Sequence, residues 1–154
     1  MSNQDAAFGL RPNSKLGSNV NSEGTTEYSI ASGASGNIFS GDPVKMANTG
    51  TILVAAAGDL LLGVFRGCRY TNASGEVIYS SYWPDGTVSA DAVAFVVDDP
   101  NSLFEVQSAA TGSVVQTIIG NNADIVYAAG STADGQSGVE ISGTTGATSA
   151  QLRI

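Results

Sequence analysis

The chain has 154 residues, of which 42% are hydrophobic and 13% charged, with a formal net charge of -8 and no histidine. That length and apolar content suit one domain burying its own core, and exclude a disordered acidic tail. The six basic residues (Arg11, Lys15, Lys45, Arg66, Arg69 and Arg153) are scattered, which argues against the clustered cations that nucleic-acid phosphates require.

Residues 1–27 carry isolated apolar residues (Phe8, Leu10, Leu16, Val20) among Asn, Ser and Gly, without a period of two or 3.6. The stretch reads as an extended N-terminal arm, either free or ordered by lying on a neighbour with its apolar residues as anchors, and residues 28–154 as a single β-rich domain. The opening "MSNQDAAFGLRP" lacks the basic start and apolar run of a Sec signal peptide, so synthesis in a cytoplasm is expected, with the protein staying there or leaving by another route. No apolar run reaches the roughly eighteen residues of a membrane helix, and no membrane partner is expected.

From Thr25 onward, short β-branched and aromatic runs alternate with turn residues, predicting an all-β barrel or sandwich of about nine short strands. Asn37–Phe39, Val44–Ala47 and Thr51–Ala56 read as hairpin strands joined at Gly41-Asp42-Pro43 and Asn48-Thr49-Gly50. Leu61–Tyr70 returns as Glu76–Trp83, and Gly63 and Gly67 leave that strand bare for a close approach. Val93–Val97 turns at Asp99-Pro100-Asn101-Ser102 and comes back as Leu103–Gln107. In "SVVQTIIG" the apolar positions 114, 115, 118 and 119 have helical spacing, and Ser113 with Gln116 forms a capping box closed by Gly120. One short helix is predicted there, against five β-branched residues that oppose it. Three strands follow, in "DIVYAAG", "SGVEIS" and "SAQLRI". The last runs to Ile154, so it is expected either to be paired to its end or to continue into a C-terminal extension.

Catalytic options are few. Without histidine there is no Ser-His-Asp triad and no Cys-His metal site, and Cys68 reads as a small buried hydrophobe. Asp98 and Asp99 sit where turns need acceptors. A glycosidase needs two convergent carboxyl groups, one with a raised pKa, whereas nearly all fourteen acids fall in turns or at strand ends. "TADGQSG" and "DDPNS" lack the alternating ligands and closing glutamate of a Ca²⁺ loop. No cofactor, metal or catalytic residue is assigned. Tyr79, Tyr82 and Trp83 offer a sugar-stacking alternative, but alternation places Tyr79 and Trp83 on one side and Tyr82 on the other.

The ordered motifs "NQDAAFGLRP", "YSIASG", "IFSGDPVKM", "GVFRGCRYTNASGEVIYSSYW", "DAVAFVVDDPNSLFEVQ" and "SGVEI" together resemble small structural proteins of tailed bacteriophages, the capsid decoration or cement proteins. The resemblance covers most of the chain. It implies a β-rich, non-enzymatic protein added to the outer surface of the expanded head, commonly as a homotrimer, which clamps neighbouring copies of the major capsid protein. In members of this kind similar sequence continues past the position of Ile154. Phe8, Leu10, Arg11, Tyr82 and Trp83 are the expected interface residues, with core packing the other reading of Tyr82 and Trp83. A tail or baseplate component and a carbohydrate-binding module are the alternatives, with a carboxylate hydrolase behind them.

Overall fold

A computed structural model describes residues 5–17, 24–109, 114–145 and 150–154. The described residues are nearly all β, as expected, in one six-stranded and three two-stranded sheets, and none of them closes into a barrel.

The main sheet is built from β2 (Thr26–Ser29), β3 (Pro43–Met46), β4 (Ile52–Val54), β5 (Gly63–Thr71), β6 (Val77–Ser80) and β7 (Val93–Val97). Its order is β2-β7-β5-β3-β4, with β6 beside the far half of β5, and every pairing is antiparallel. Alternation sends Ala94 and Val96 to the inner face, and the bulge between Phe65 and Gly67 lets both Phe65 and Cys68 join them, packed with Ile30, Ile38, Val44, Ile52, Ala92 and Trp83. A smaller cluster of Ala55, Ile125 and Val139, flanked by Leu61 and Leu152, lies under the C-terminal strands.

Those strands are β9 (Asn122–Ala123), β10 (Ile125–Val126), β11 (Glu140–Ile141) and β12 (Leu152–Arg153), paired β10 with β11 and β12 with β9. The last strand is paired to its end: Gly120 N–H donates to Ile154 O at 2.7 Å and Ile154 N–H to Asn121 O at 2.9 Å.

The β5–β6 and β3–β4 hairpins form as expected. The close approach at Gly63 and Gly67 also occurs, and it is made by the chain's own backbone. A Cβ on Gly63 would lie 2.3 Å from Val97 O, and one on Gly67 2.9 Å from Ser80 O. Gly67 follows a bulge in the β5–β7 register. Gly63→Ala is therefore expected to destabilise the fold by about 1–3 kcal/mol, seen as a lower urea midpoint at unchanged slope.

Four expectations are corrected. First, residues 5–17 pair with the chain's own fold and are not a separate arm. β1 (Arg11–Lys15) pairs with β8 (Ser102–Glu105), Leu10 N–H donates to Gly41 O at 2.9 Å, and Leu10 is 1% exposed. The other end of the expected arm, Thr26–Glu27, already belongs to β2. Second, β8 does not return along β7. Both edges of β7 are occupied, by β2 and β5, so the chain leaves the sheet after the Asp99–Ser102 turn and finds β1.

Third, Asn37–Phe39 is not a strand; only Ile38 bridges, to Trp83. Fourth, the predicted helix shrinks to one 3₁₀ turn, Gln116–Ile118, with Val115 extended before it and no side-chain cap. Ser113, the other half of the expected capping box, lies outside the described residues. The turn buries none of its residues. With no packing to offset nucleation, and with Val114, Val115, Thr117, Ile118 and Ile119 all resisting helical χ1, propagation fails.

Candidate functional site

The five residues expected at an interface do not share one environment. Trp83 is fully buried, its ring edge-on to Tyr70 at 5.4 Å between centroids, and its backbone N–H and C=O both bond the backbone of Ile38. Leu10 is equally buried. Burial inside their own chain removes both from contact with a neighbour, which corrects the expectation for these two. Tyr82 is half-buried and stacks on Phe39 at 5.7 Å. Phe8 is half-buried beneath the exposed Arg11, whose guanidinium stands 4.6 Å from the ring centroid, a cation–π pair.

The placement of Tyr79 and Trp83 on one side is also corrected. Alternation predicted Tyr79 and Trp83 on one side, but β6 ends at Ser80, whose hydroxyl donates to Tyr82 O at 2.6 Å and accepts Tyr82 N–H at 3.2 Å. That local loop re-aims the chain, so Trp83 points inward while Tyr79 is 71% exposed.

The carboxylates act as structural acceptors. Asp98 receives the Thr26 and Tyr28 hydroxyls at 3.0 and 2.7 Å. Asp99 accepts Asn101 N–H at 2.8 Å and pairs with Lys15 at 2.6 Å; the Lys15 and Asn101 bonds hold its carboxyl below the usual range. Asp59 accepts from Lys45 at 2.7 Å and from Ala56 N–H at 2.8 Å, with the same direction of shift. The Thr71 hydroxyl, then Ser89, bring Asp91 down to about 2. Asp42 goes the other way: burial raises it, but at 0% exposure no substrate reaches it. Among the described residues no three Cys, Asp or Glu converge to hold a metal, and Asp134 accepts the N–H of Gln136 in a turn of its own.

Cys68 is buried, its thiol pushed up to about 12 by burial, with Sγ donating to Tyr82 O at 3.4 Å. The folded protein is expected to resist alkylation by iodoacetamide at pH 8, and the urea-unfolded chain to react; mass spectrometry reads both. Comparable labelling of the two would contradict the burial.

What the surface offers is apolar. Leu53 and Met46 on the β3–β4 hairpin are 40% and 44% exposed, and Leu60, in the loop tied to β3 by the Lys45–Asp59 ion pair, is 93% exposed. Val77 and Tyr79 on β6 are 54% and 71% exposed. Val114, Val115 and Ile119 around the 3₁₀ turn are 58%, 56% and 69% exposed. That the strand carrying Val77 and Tyr79 lies at a sheet edge follows only from the strand order. No helix among the described residues is long and apolar enough to cross a membrane. Comparison with known proteins identifies no family: no family model, no curated protein and no solved structure matches the chain.

Proposed function

We propose that this chain is a structural, non-enzymatic capsid decoration protein, added as a homotrimer to the outer surface of a phage head, where it clamps neighbouring copies of the major capsid protein. One observation carries the reading: large apolar side chains stand exposed on three separate elements, Leu53 with Leu60 at the β3–β4 hairpin and the loop after it, Val77 with Tyr79 on β6, and Val114, Val115 and Ile119 around the 3₁₀ turn. Scattered exposed hydrophobics need no explanation; groups on several elements suit a protein held by more than one neighbour. Asp42, Asp59, Asp91, Asp98 and Asp99, spent on internal hydrogen bonds, fit a role without turnover. The resemblance of the ordered motifs to decoration proteins supplies the named partner.

The test is co-sedimentation of the purified protein with expanded, undecorated heads of its source phage. Saturation at a fixed ratio to the major capsid protein is the expected result, and absence of binding by a folded sample overturns the reading. Deleting residues 1–11 is a poor probe, because it removes the buried Leu10 and the start of β1. The better variant is Leu60→Ser. If the Leu60 group is a contact, it is expected to weaken shell binding about tenfold with the unfolding midpoint unchanged.

A further inference from the structure

β6 has an edge that no described strand pairs. Its inner neighbour is β5, in the register Cys68↔Ser80, Arg69↔Tyr79, Tyr70↔Ile78 and Thr71↔Val77. Asn72 N–H donates to Glu76 O, so hydrogen-bonded pairs alternate from there: Ile78 and Ser80 turn their backbone groups to β5, and Val77 and Tyr79 turn theirs outward. Thr71 N–H, bonded to Ser89 and Asp91 on the β7 side of β5, has the matching phase. The outward groups belong to residues 54% and 71% exposed.

Folded proteins protect such an edge with charge, proline or a bulge. Edge strand β2 carries the exposed Glu27, and edge strand β4 is three residues long. β6 has no such device: its four residues are Val, Ile, Tyr and Ser.

We propose that this edge joins two copies of the chain, β6 against β6, antiparallel about a two-fold axis at Ile78. The strand is self-complementary in that register. Val77 faces the second copy's Tyr79 and Tyr79 its Val77, so the outward N–H and C=O of both residues are matched. The facing side chains form aromatic–β-branched pairs of the kind that stabilise sheets. Backbone phase and side-chain matching in this register make a second copy the occupant. The net charge of -8 makes copies repel one another, and the four uncharged residues of β6 add nothing to that repulsion.

A stable interface buries about 1,200–2,000 Å² in total, more than a four-residue edge supplies alone. The pair therefore forms where copies are concentrated. It rests on the decoration reading for that crowding, and in that setting it links adjacent trimers through a contact separate from the one each makes with the shell.

The experiment is disulfide trapping in free solution. Residues opposite one another at a non-hydrogen-bonded position approach to about 4.5 Å between Cα atoms, so Ile78→Cys on the axis has cross-linking geometry; buried Cys68 stays silent. Under mild oxidation at millimolar protein, Ile78→Cys is expected to form dimer at least about tenfold faster than Ala57→Cys in an exposed loop. Adding Tyr79→Pro, which deletes an outward N–H and no bond to β5, should return it to the control rate, with the unfolding midpoint reporting that the fold survives. Should that variant unfold, Val77→Lys with Tyr79→Lys sets like charges opposite one another and should abolish the cross-link equally. Cross-linking no faster than the Ala57→Cys control, or unaffected by these changes, overturns the proposal. Shell co-sedimentation of the unsubstituted chain is scored separately: its failure ends the decoration reading, and the solution cross-link still decides the edge.

Discussion

Replacing Trp83 with alanine is expected to lower the unfolding free energy by about 3–5 kcal/mol, a large share of the 5–15 kcal/mol typical of a domain. The indole is fully buried at the centre of the main cluster. Its removal leaves a cavity facing Tyr70, Phe65 and Ile38, whose backbones are fixed by sheet bonds and by the Ile38–Trp83 bridge, so little collapse can refill it. Trp83→Phe should cost less than alanine, for a second reason besides volume. The indole N–H is buried without an acceptor among the described residues, and phenylalanine removes that unsatisfied donor. Urea unfolding read by circular dichroism checks both, since the alanine variant loses the only tryptophan. A sugar-binding Trp83 would give the opposite pattern, with stability kept and glycan-induced quenching lost. An alanine variant as stable as the parent would remove Trp83 from the core.

What could be read from the sequence divides along a physical line. Strands whose signal is local alternation, Val93–Val97 and the two hairpins closed by Asn48-Thr49-Gly50 and Gly75, were legible, because period two and turn chemistry are properties of a few adjacent residues. The partner of a strand is not. β8 has a good turn before it and still pairs with β1, because β2 had claimed the free edge of β7, a fact set by residues seventy positions away. Burial of isolated apolar residues has the same character: Leu10 looks like a surface anchor until Gly41 and Ser137 are seen to close over its neighbour Gly9. The helix misread shows the converse, a periodicity of four residues with no surface to pack against. For the candidate site, Tyr82 and Trp83 were singled out as aromatics, whereas the exposed one is Tyr79. Ser80, a residue of no apparent chemistry, makes that difference by folding the chain back through its hydroxyl.

Asp42→Asn is expected to stabilise the protein at neutral pH, and to do so less and less as the pH falls. The carboxyl is completely buried; Oδ2 accepts Phe39 N–H at 2.8 Å, while Oδ1 makes no hydrogen bond. Burial raises its pKa above 3.8, and the nearby Ser137 hydroxyl and the Phe39 N–H counter only part of that shift. Tyr127, itself raised by burial and then by the Asp42 charge, is the titratable group coupled to it. Because the folded pKa is the higher one, Asp42's contribution is most favourable below 3.8, where it is neutral in both states. That contribution is lost as the pH rises through the folded value and a charge must be held without a counter-ion. Asparagine keeps the acceptor for Phe39 and never ionises, so the gain at pH 7 should be roughly 1–3 kcal/mol and should vanish near pH 3. Asp59, Asp91 and Asp99 have lowered values and act oppositely, stabilising above 3.8 and losing that as the pH falls. Since both proteins share them, the difference between the two stability curves isolates Asp42. A variant no more stable than the parent at pH 7, or a difference independent of pH, would mean that the folded carboxyl keeps an ordinary pKa because it is paired or solvated in solution. Asp42→Ala separates those cases from a purely steric one: it strands the Phe39 N–H and should be destabilising at every pH.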